Sequence, residues 1–371
     1  MQTLLHFYKG KKVLITGHTG FKGAWLAFLL QYWGADVVGI ALAAHTNPNL
    51  FTLLHLDTSM KSYVCDISDY AALKKIFEKE KPEIVFHLAA LALVRKSYDE
   101  PLSTFAANTM GTAHVLQAIK ETESIRAGVI ITTDKVYENK GEDRPFSETD
   151  ALSGHDPYSA SKAAADIIAT SYMRSFFHVP HAEDIIGLAS IAVARSGNVV
   201  GGGDWGEDRL IPDVVRAVYE THMPVNIRNP HHVRPWQFIL DLLAGYLLLG
   251  KALYTQGSIA SGSWNFGPDE ENCVTVNEIV TQAIGVLHQG TYQVISDADK
   301  HEAMMLKLDA TKAKTNLGWI PRYGIKETIQ ATLAWYSYCY EKKGDMREFT
   351  RMQINNFFIA HASVADISQM S

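Results

Sequence analysis

Residues 12–33 read KVLITGHTGFKGAWLAFLLQYW. The first five form a short apolar, β-branched run that predicts a buried strand. Gly17, Gly20 and Gly23 then punctuate a turn, and the apolar residues over Ala24–Trp33 predict a helix. Strand, glycine turn and helix in immediate succession open a βαβ unit. Glycine lets a chain turn sharply and lets a phosphate approach its backbone, and the N-terminus of the following helix favours the anion. The spacing is GxxGxxG, not GxGxxG. An ordinary strand–helix turn is the alternative for three glycines alone, and their place after the first strand favours dinucleotide binding.

The same alternation continues downstream. Asp36–Ile40, Ser62–Cys65, Glu83–His87, Gly128–Thr132 and Ala189–Ala194 read as further strands. Tyr70–Glu80, Thr109–Glu121 and Ala160–Phe177 read as helices between them. Strands separated by helices of this length predict an α/β fold with a doubly wound parallel Rossmann sheet. Beyond residue 196 the alternation loosens, and Gly262–Gly267 and Leu317–Tyr323 read as loops. The expected division is a nucleotide-binding domain over 1–195 plus 233–263 and a smaller C-terminal α/β substrate domain over 196–232 plus 264–345. A frayed tail is expected over 346–371.

Composition narrows the function classes. The 371 residues are 47% hydrophobic and 20% charged, as in a folded globular protein. A net charge of -6 offers no basic field for nucleic acid. Cys65, Cys273 and Cys339 are too few and too scattered for a disulfide framework or a zinc site, so no metal is expected. No run is long and apolar enough to cross a membrane, no signal peptide is legible, and the reading is cytoplasmic.

Two clusters carry chemistry. Tyr158 and Lys162, four apart, share a helix face, where the cation is expected to favour the phenolate and make it a general base. Thr133, Asp134 and Lys135 follow the fifth strand, at the sheet edge where open α/β folds bind ligands. The end of the second strand carries Ile40-Ala41-Leu42, with neither an acid for a ribose nor an arginine for a 2′-phosphate. NAD is preferred over NADP. Asp66 is a candidate adenine contact, or else the N-cap of the next helix. Arg209, Arg228 and Arg234 supply forks suited to a diphosphate, with surface ion pairing the preferred reading for Arg228. His231 and His232 read as loop residues, and Trp236 as packing.

The chain resembles the extended short-chain dehydrogenases/reductases. The resemblance rests on GxxGxxG at 17–23, NTMGT at 108–112, Thr133, Tyr158/Lys162, LGWIP at 317–321 and TLAWY at 332–336. HTGFKG at 18–23, TTDKVYEN at 132–139, DPYSASK at 156–162 and GNVVGGGDWGEDRLIPD at 197–213 are similar to its CDP-glucose 4,6-dehydratase branch, as are VRPWQ at 233–237 and WNFGP at 264–268. The resemblance implies that NAD lies against Gly17, Thr19, Gly20, Phe21, Lys22, Gly23, Asp66, Ile67, Leu88, Ala89 and Asn108, with Tyr158 and Lys162. It implies a nucleotide-sugar substrate, CDP-glucose, held by Asn198, Arg209 and Arg234. Tyr158 would take the 4-hydroxyl proton, Thr133 would bond the same oxygen, and Asp134 would protonate the leaving 6-hydroxyl. Lys135 stands where dTDP-glucose dehydratases carry a glutamate base; Lys135, a water or Tyr158 remain open for the C5 proton. A homodimer, or a dimer of dimers, through helices near 102–122 and 158–177 is also implied. A sugar-nucleotide 4-epimerase or a dehydratase of another sugar nucleotide stays open, and more remotely a non-catalytic NAD-binding protein.

Overall fold

The computed structural model describes residues 2–177, 188–295 and 306–359. Six strands alternate with helices as the apolar runs predict: β1 (Lys12–Thr16), β2 (Asp36–Ala41), β3 (Lys61–Val64), β4 (Ile84–His87), β5 (Ala127–Ile131) and β6 (Ser190–Ser196). They are followed by β7 (Asn198–Val200), β8 (Val225–Ile227), β9 (Val233–Phe238) and β10 (Gly262–Phe266). The main sheet has the order β10-β6-β5-β4-β1-β2-β3, and every pairing in it is parallel. Residues of β1, β4, β5 and β6 are almost all buried, because helices cover both faces and leave no solvated side.

Two expectations fail here. Gly262–Gly267 was expected as a loop, yet Gly262–Phe266 is the seventh strand, paired with β6 and crossing the expected boundary at 263/264. Its small and polar residues hide the pattern, while Trp264 and Phe266 are buried. The expected tail begins instead with a helix, Met346–Ile359. Its Ile354 and Phe357 are fully buried, and Phe358 meets Trp33 edge-on at 4.9 Å. Apolar residues spaced three to four apart supply that packed face. Residues 360–371 lie outside the described residues. Leu317 closes the helix Thr311–Leu317, and 318–324 is loop, as expected.

The helix boundaries shift for local reasons. The first glycine-turn helix runs Phe21–Tyr32 and so starts inside the motif. The helix expected from Thr109 is preceded by a π-helical turn, Ala106–Met110, and runs Gly111–Glu121. Pro157 at the first helical position and Asp156 as N-cap, accepting from the Ser159 amide at 2.9 Å, start the helix Pro157–Tyr172 ahead of Ala160.

The smaller part of the chain is built on two short sheets. β9 joins β7 in parallel and β11 (Cys273–Thr275) antiparallel, while β8 pairs with β12 (Tyr292–Val294). The long helix Ile239–Gln256 ties this part to the main sheet. Its Leu247 carbonyl accepts from Tyr8, and its Asp241 carboxylate accepts from the Arg322 and Tyr323 amides. Burial pushes the Asp241 carboxyl up to about 7.

Phe357 packs against Phe238, Tyr323 and Phe358 and is 0% exposed. Phe357→Ala is expected to cost about 3–5 kcal/mol of unfolding free energy, read from urea denaturation; a loss under 1 kcal/mol is what a frayed tail would give.

Candidate active site

At the carboxyl edge of the main sheet lies a cleft of about 1950 Å³ between the two parts of the chain. The glycine turn forms one wall. Gly17 has φ +77°, and a Cβ there would stand 2.7 Å from the Ala89 nitrogen; a Cβ on Gly23 would stand 2.1 Å from the Gly17 oxygen. Both glycines are required by close backbone approach. Gly20 differs, since a Cβ on it would meet only the Gly17 oxygen, at an ordinary 3.5 Å. Its open side faces the cleft. Gly20 is also the N-cap of Phe21–Tyr32 and supplies no side-chain cap, so the first amides of that helix are free to take an anion. A dinucleotide's pyrophosphate fits this cradle.

Gly17, Thr19, Gly20, Phe21, Lys22, Gly23, Asp66, Ile67, Leu88 and Ala89 all line the cleft. Thr19 Oγ1 donates to the Leu42 carbonyl at 3.0 Å, which fixes the wall beyond β2. Asp66 accepts from the Ser68 amide at 2.8 Å, but it does not cap the next helix; Asp69 does, accepting from Ala72 at 3.0 Å. Asn108 lies elsewhere. It is fully buried in the π-helical turn, bonds both backbone groups of Leu91 and reaches Ser161, and is not among the residues facing the cleft. Its effect on a cofactor would pass through the Leu88–Leu91 wall.

The chemical cluster sits opposite. Thr133 ends the β5 run in an extended conformation and accepts from the Lys135 amide, starting a short 3-10 turn over Asp134–Val136. Thr133 Oγ1 donates to Asp134 Oδ1 at 3.0 Å and stands near enough to Tyr158 to favour its phenolate. Asp134 is 2% exposed, and its Oδ2 has no hydrogen-bond partner. Such an oxygen is costly unless a ligand meets it. Lys135, on the same turn, is half-buried.

The expected Tyr–Lys coupling takes a different form. Burial pushes the Tyr158 phenol up to about 12, and the groups that pull it back are Thr133 and Arg209. Burial brings Lys162 down to about 8, opposed by Asp166, and its Nζ donates to the Ile131 carbonyl at 2.7 Å. Helical spacing puts both residues on one face, but it does not choose the lysine's acceptor.

Of the arginines, Arg209 acts electrostatically on both Tyr158 and Lys22 and lies 3.5 Å from the Asp204 carboxylate. Arg234 is buried, donating to the Val233 carbonyl at 3.0 Å and standing 3.1 Å from His232 Nδ1. Arg228 pairs with Asp208 at 2.7 Å, as the ion-pairing reading expects. Asn198 opens β7 in the cleft wall. His232, read as a loop residue, lines the cleft as well; Trp236 is packed, donating to Val274. The reading of the sequence missed Asp204, Ser196 and Tyr137, which face the cleft. Tyr137 and Asp204 lie inside the quoted strings 132–139 and 197–213, but nothing in those strings singles them out from their neighbours. Among the described residues no cluster of metal ligands is present.

The GDP-mannose 4,6 dehydratase family model matches residues 14–332. The chain belongs to that family. It is 42% identical to the CDP-glucose 4,6-dehydratase of Salmonella typhimurium, covering 96% of this chain and 98% of that one. It is 26% identical to the dTDP-glucose 4,6-dehydratase of Xanthomonas campestris pv. campestris, over 87% of this chain and 92% of that one. Two solved structures share the fold. An epimerase from Methanothermobacter thermautotrophicus matches with a TM-score of 0.78 at 22% identity, over 93% of this chain and 97% of that one. The dTDP-glucose 4,6-dehydratase from Bacillus anthracis, in complex with NAD, matches with a TM-score of 0.72 at 23% identity, over 90% and 98%.

Lys22 tests the electrostatics of this site. Burial first, then Arg209, bring its ammonium down to about 7, against the pull of Asp134. The unfolded chain therefore binds more protons than the folded one between about pH 7 and the ordinary lysine value of 10.5, and stability rises with pH across that window. Lys22→Met is expected to flatten that rise in the melting temperature of the protein without cofactor; an unaltered slope would contradict the placement.

Proposed function

We propose that this chain is a hydro-lyase that converts CDP-glucose to CDP-4-keto-6-deoxyglucose with NAD as a catalytic cofactor. The observation that carries the reading is the convergence of Thr133, Asp134 and Tyr158 at the end of β5, with one buried Asp134 oxygen unpartnered in the cleft. The 42% identity to a CDP-glucose 4,6-dehydratase over nearly both whole chains supports the substrate. The cradle at Gly20 supports the dinucleotide.

The chemistry that bound NAD would supply is a hydride acceptor for sugar C4 and, in reduced form, a hydride donor for C6, with no net consumption. The chain's own residues move the protons. Burial holds the Tyr158 phenol protonated in the protein alone, so it would accept the 4-hydroxyl proton, as C4 becomes a ketone, once nearby cations favour its phenolate; Arg209 and Thr133 act in that direction. Lys162, whose Nζ donates to the Ile131 carbonyl, would hold the ribose of the nicotinamide. The 4-ketone acidifies the C5–H bond. Asp134 then delivers a proton to the 6-hydroxyl, which departs as water, and Lys135 on the same turn is the group offered for the C5 proton. Asn198, Arg209 and Arg234 hold the diphosphate end.

A two-part division, with the main sheet carrying NAD and the smaller part carrying the sugar nucleotide, fits this reading. Among the described residues no helix is long and apolar enough to cross a membrane, and Cys65, Cys273 and Cys339 are free thiols, which supports a cytoplasmic place. Leu102, Phe105, Met110 and Ile167 are exposed apolar side chains on the helices at 101–110 and 157–172, which supports pairing of two copies there.

The test is mass spectrometry of CDP-, dTDP-, GDP- and UDP-glucose incubated with the protein and NAD. Loss of one water from CDP-glucose is expected. Water loss only from another nucleotide sugar would keep the chemistry and discard the base, whereas unchanged mass throughout would discard the function. Tyr158→Phe is expected to abolish turnover, at least about a hundredfold, with NAD binding by calorimetry nearly unchanged.

A further inference from the structure

The turn that carries Asp134 and Lys135 is held from behind by a buried polar lattice. Tyr137, which closes the turn, is 3% exposed. Its hydroxyl donates to Asn265 Oδ1 at 2.7 Å and accepts from Arg195 Nη1 at 2.7 Å. Arg195 is 2% exposed and forks onto Asp166 through two bonds of 2.7 Å, while its remaining donors reach the Glu148 carbonyl at 3.2 Å and Ser263 at 2.9 Å. Asp166 also accepts from Thr132, the residue just before the turn, at 3.2 Å. Asn265 closes the lattice by donating to the Phe146 carbonyl at 2.9 Å.

The lattice thus grips the Thr133–Val136 turn at both ends. Thr132 is tied to the helix that carries Lys162, and Tyr137 is tied to β6 and β10. Burial keeps the Tyr137 phenol protonated, up to about 12, so it can serve as donor and acceptor together. Asp166 holds Arg195 charged despite burial. The Tyr137 ring stacks on Phe146 at 5.0 Å with 3° between planes, which keeps it in place even without its hydroxyl. Tyr158 reaches its position by another route, through the Asp156 cap and the Ser97 hydroxyl, which accepts from the Tyr158 amide at 3.1 Å.

We propose that the Tyr137 hydroxyl, held between Arg195 and Asn265, is a positioning group for the Asp134–Lys135 turn and acts on loss of water rather than on oxidation at C4. The inference rests on the dehydratase reading. The two halves share Thr133 and the Asp166 tie, but they lean on the turn unequally: Tyr158 and Lys162 stand on the helix Pro157–Tyr172, whose start is fixed by the Asp156 cap, whereas both groups offered for the elimination, Asp134 and Lys135, stand on the turn that Tyr137 closes. Loosening the turn should therefore slow C–O cleavage selectively. The oxidised nucleotide sugar, lighter than substrate by two hydrogens, should then build up on the enzyme. No new co-reactant is required, since the two hydrogens reside on Tyr158 as a proton and on the cofactor as hydride.

Tyr137→Phe removes one hydroxyl and leaves the ring on Phe146. With CDP-glucose and NAD at enzyme-stoichiometric concentrations, the expected result is a kcat lowered about tenfold, the worth of one good hydrogen bond. KM should be almost unchanged, and acid-quenched samples should contain the nucleotide sugar lighter by two hydrogens. Deuterium at C5 should slow the variant more than the parent. Melting temperature and NAD binding by calorimetry establish that the variant is folded. A folded variant with parental kcat and no oxidised intermediate would overturn the proposal, as would equal slowing of both halves in single turnover. Failure of the parent itself to release water from CDP-glucose would instead overturn the dehydratase reading, so the two failures are separable.

Discussion

The cleft exists because the chain passes extremely close to itself after β1. The Gly17 and Gly23 backbones lie where any Cβ would strike Ala89 or the Gly17 carbonyl. That contact sets the Phe21–Tyr32 helix directly against the sheet and aims its uncapped N-terminus along the carboxyl edge. Parallel pairing then brings the ends of β1, β4, β5 and β6 to the same edge, so residues more than a hundred positions apart in sequence share one cavity. Right-handed crossovers permit that arrangement with few competing topologies.

The buried charges on this edge have separate fates. Arg195 and Asp166 satisfy each other through a two-pronged ion pair, and removal of either partner from such a pair typically costs about 3–5 kcal/mol. The half-buried Lys22 and the buried Lys162 answer desolvation with greater acidity instead, brought down to about 7 and about 8. Asp134 keeps one oxygen unbonded. Lys22, Lys162 and Asp134 thus line the cleft, while the Arg195–Asp166 pair stands behind it. This separation is what distinguishes a working surface from a scaffold.

Much of this was legible in the sequence. Six strands of the main sheet follow from compact apolar runs, and the glycine motif, the Thr133–Lys135 turn and the Tyr158/Lys162 pair come together in one cleft. The seventh strand escaped because Gly262, Ser263 and Asn265 break the apolar run, although Asn265 is buried through its bonds to Tyr137 and Phe146. The Met346–Ile359 helix escaped because its polar residues and the small polar residues beyond it outweighed a narrow apolar stripe. Asn108 carried a motif signal that belongs to the Leu91 wall, not to the cavity. Hydrogen-bond partners chosen in three dimensions, such as Ile131 for Lys162, have no periodicity to betray them.

The central claim is that a hydride leaves C4 and returns to C6 of the same sugar while water departs. The most direct test is conversion of CDP-glucose deuterated at C4, with the product examined by nuclear magnetic resonance and mass spectrometry. The account predicts that the deuterium appears at C6, in the same molecule, even in a mixture with unlabelled substrate. Deuterium retained at C4, or lost to solvent, would contradict it.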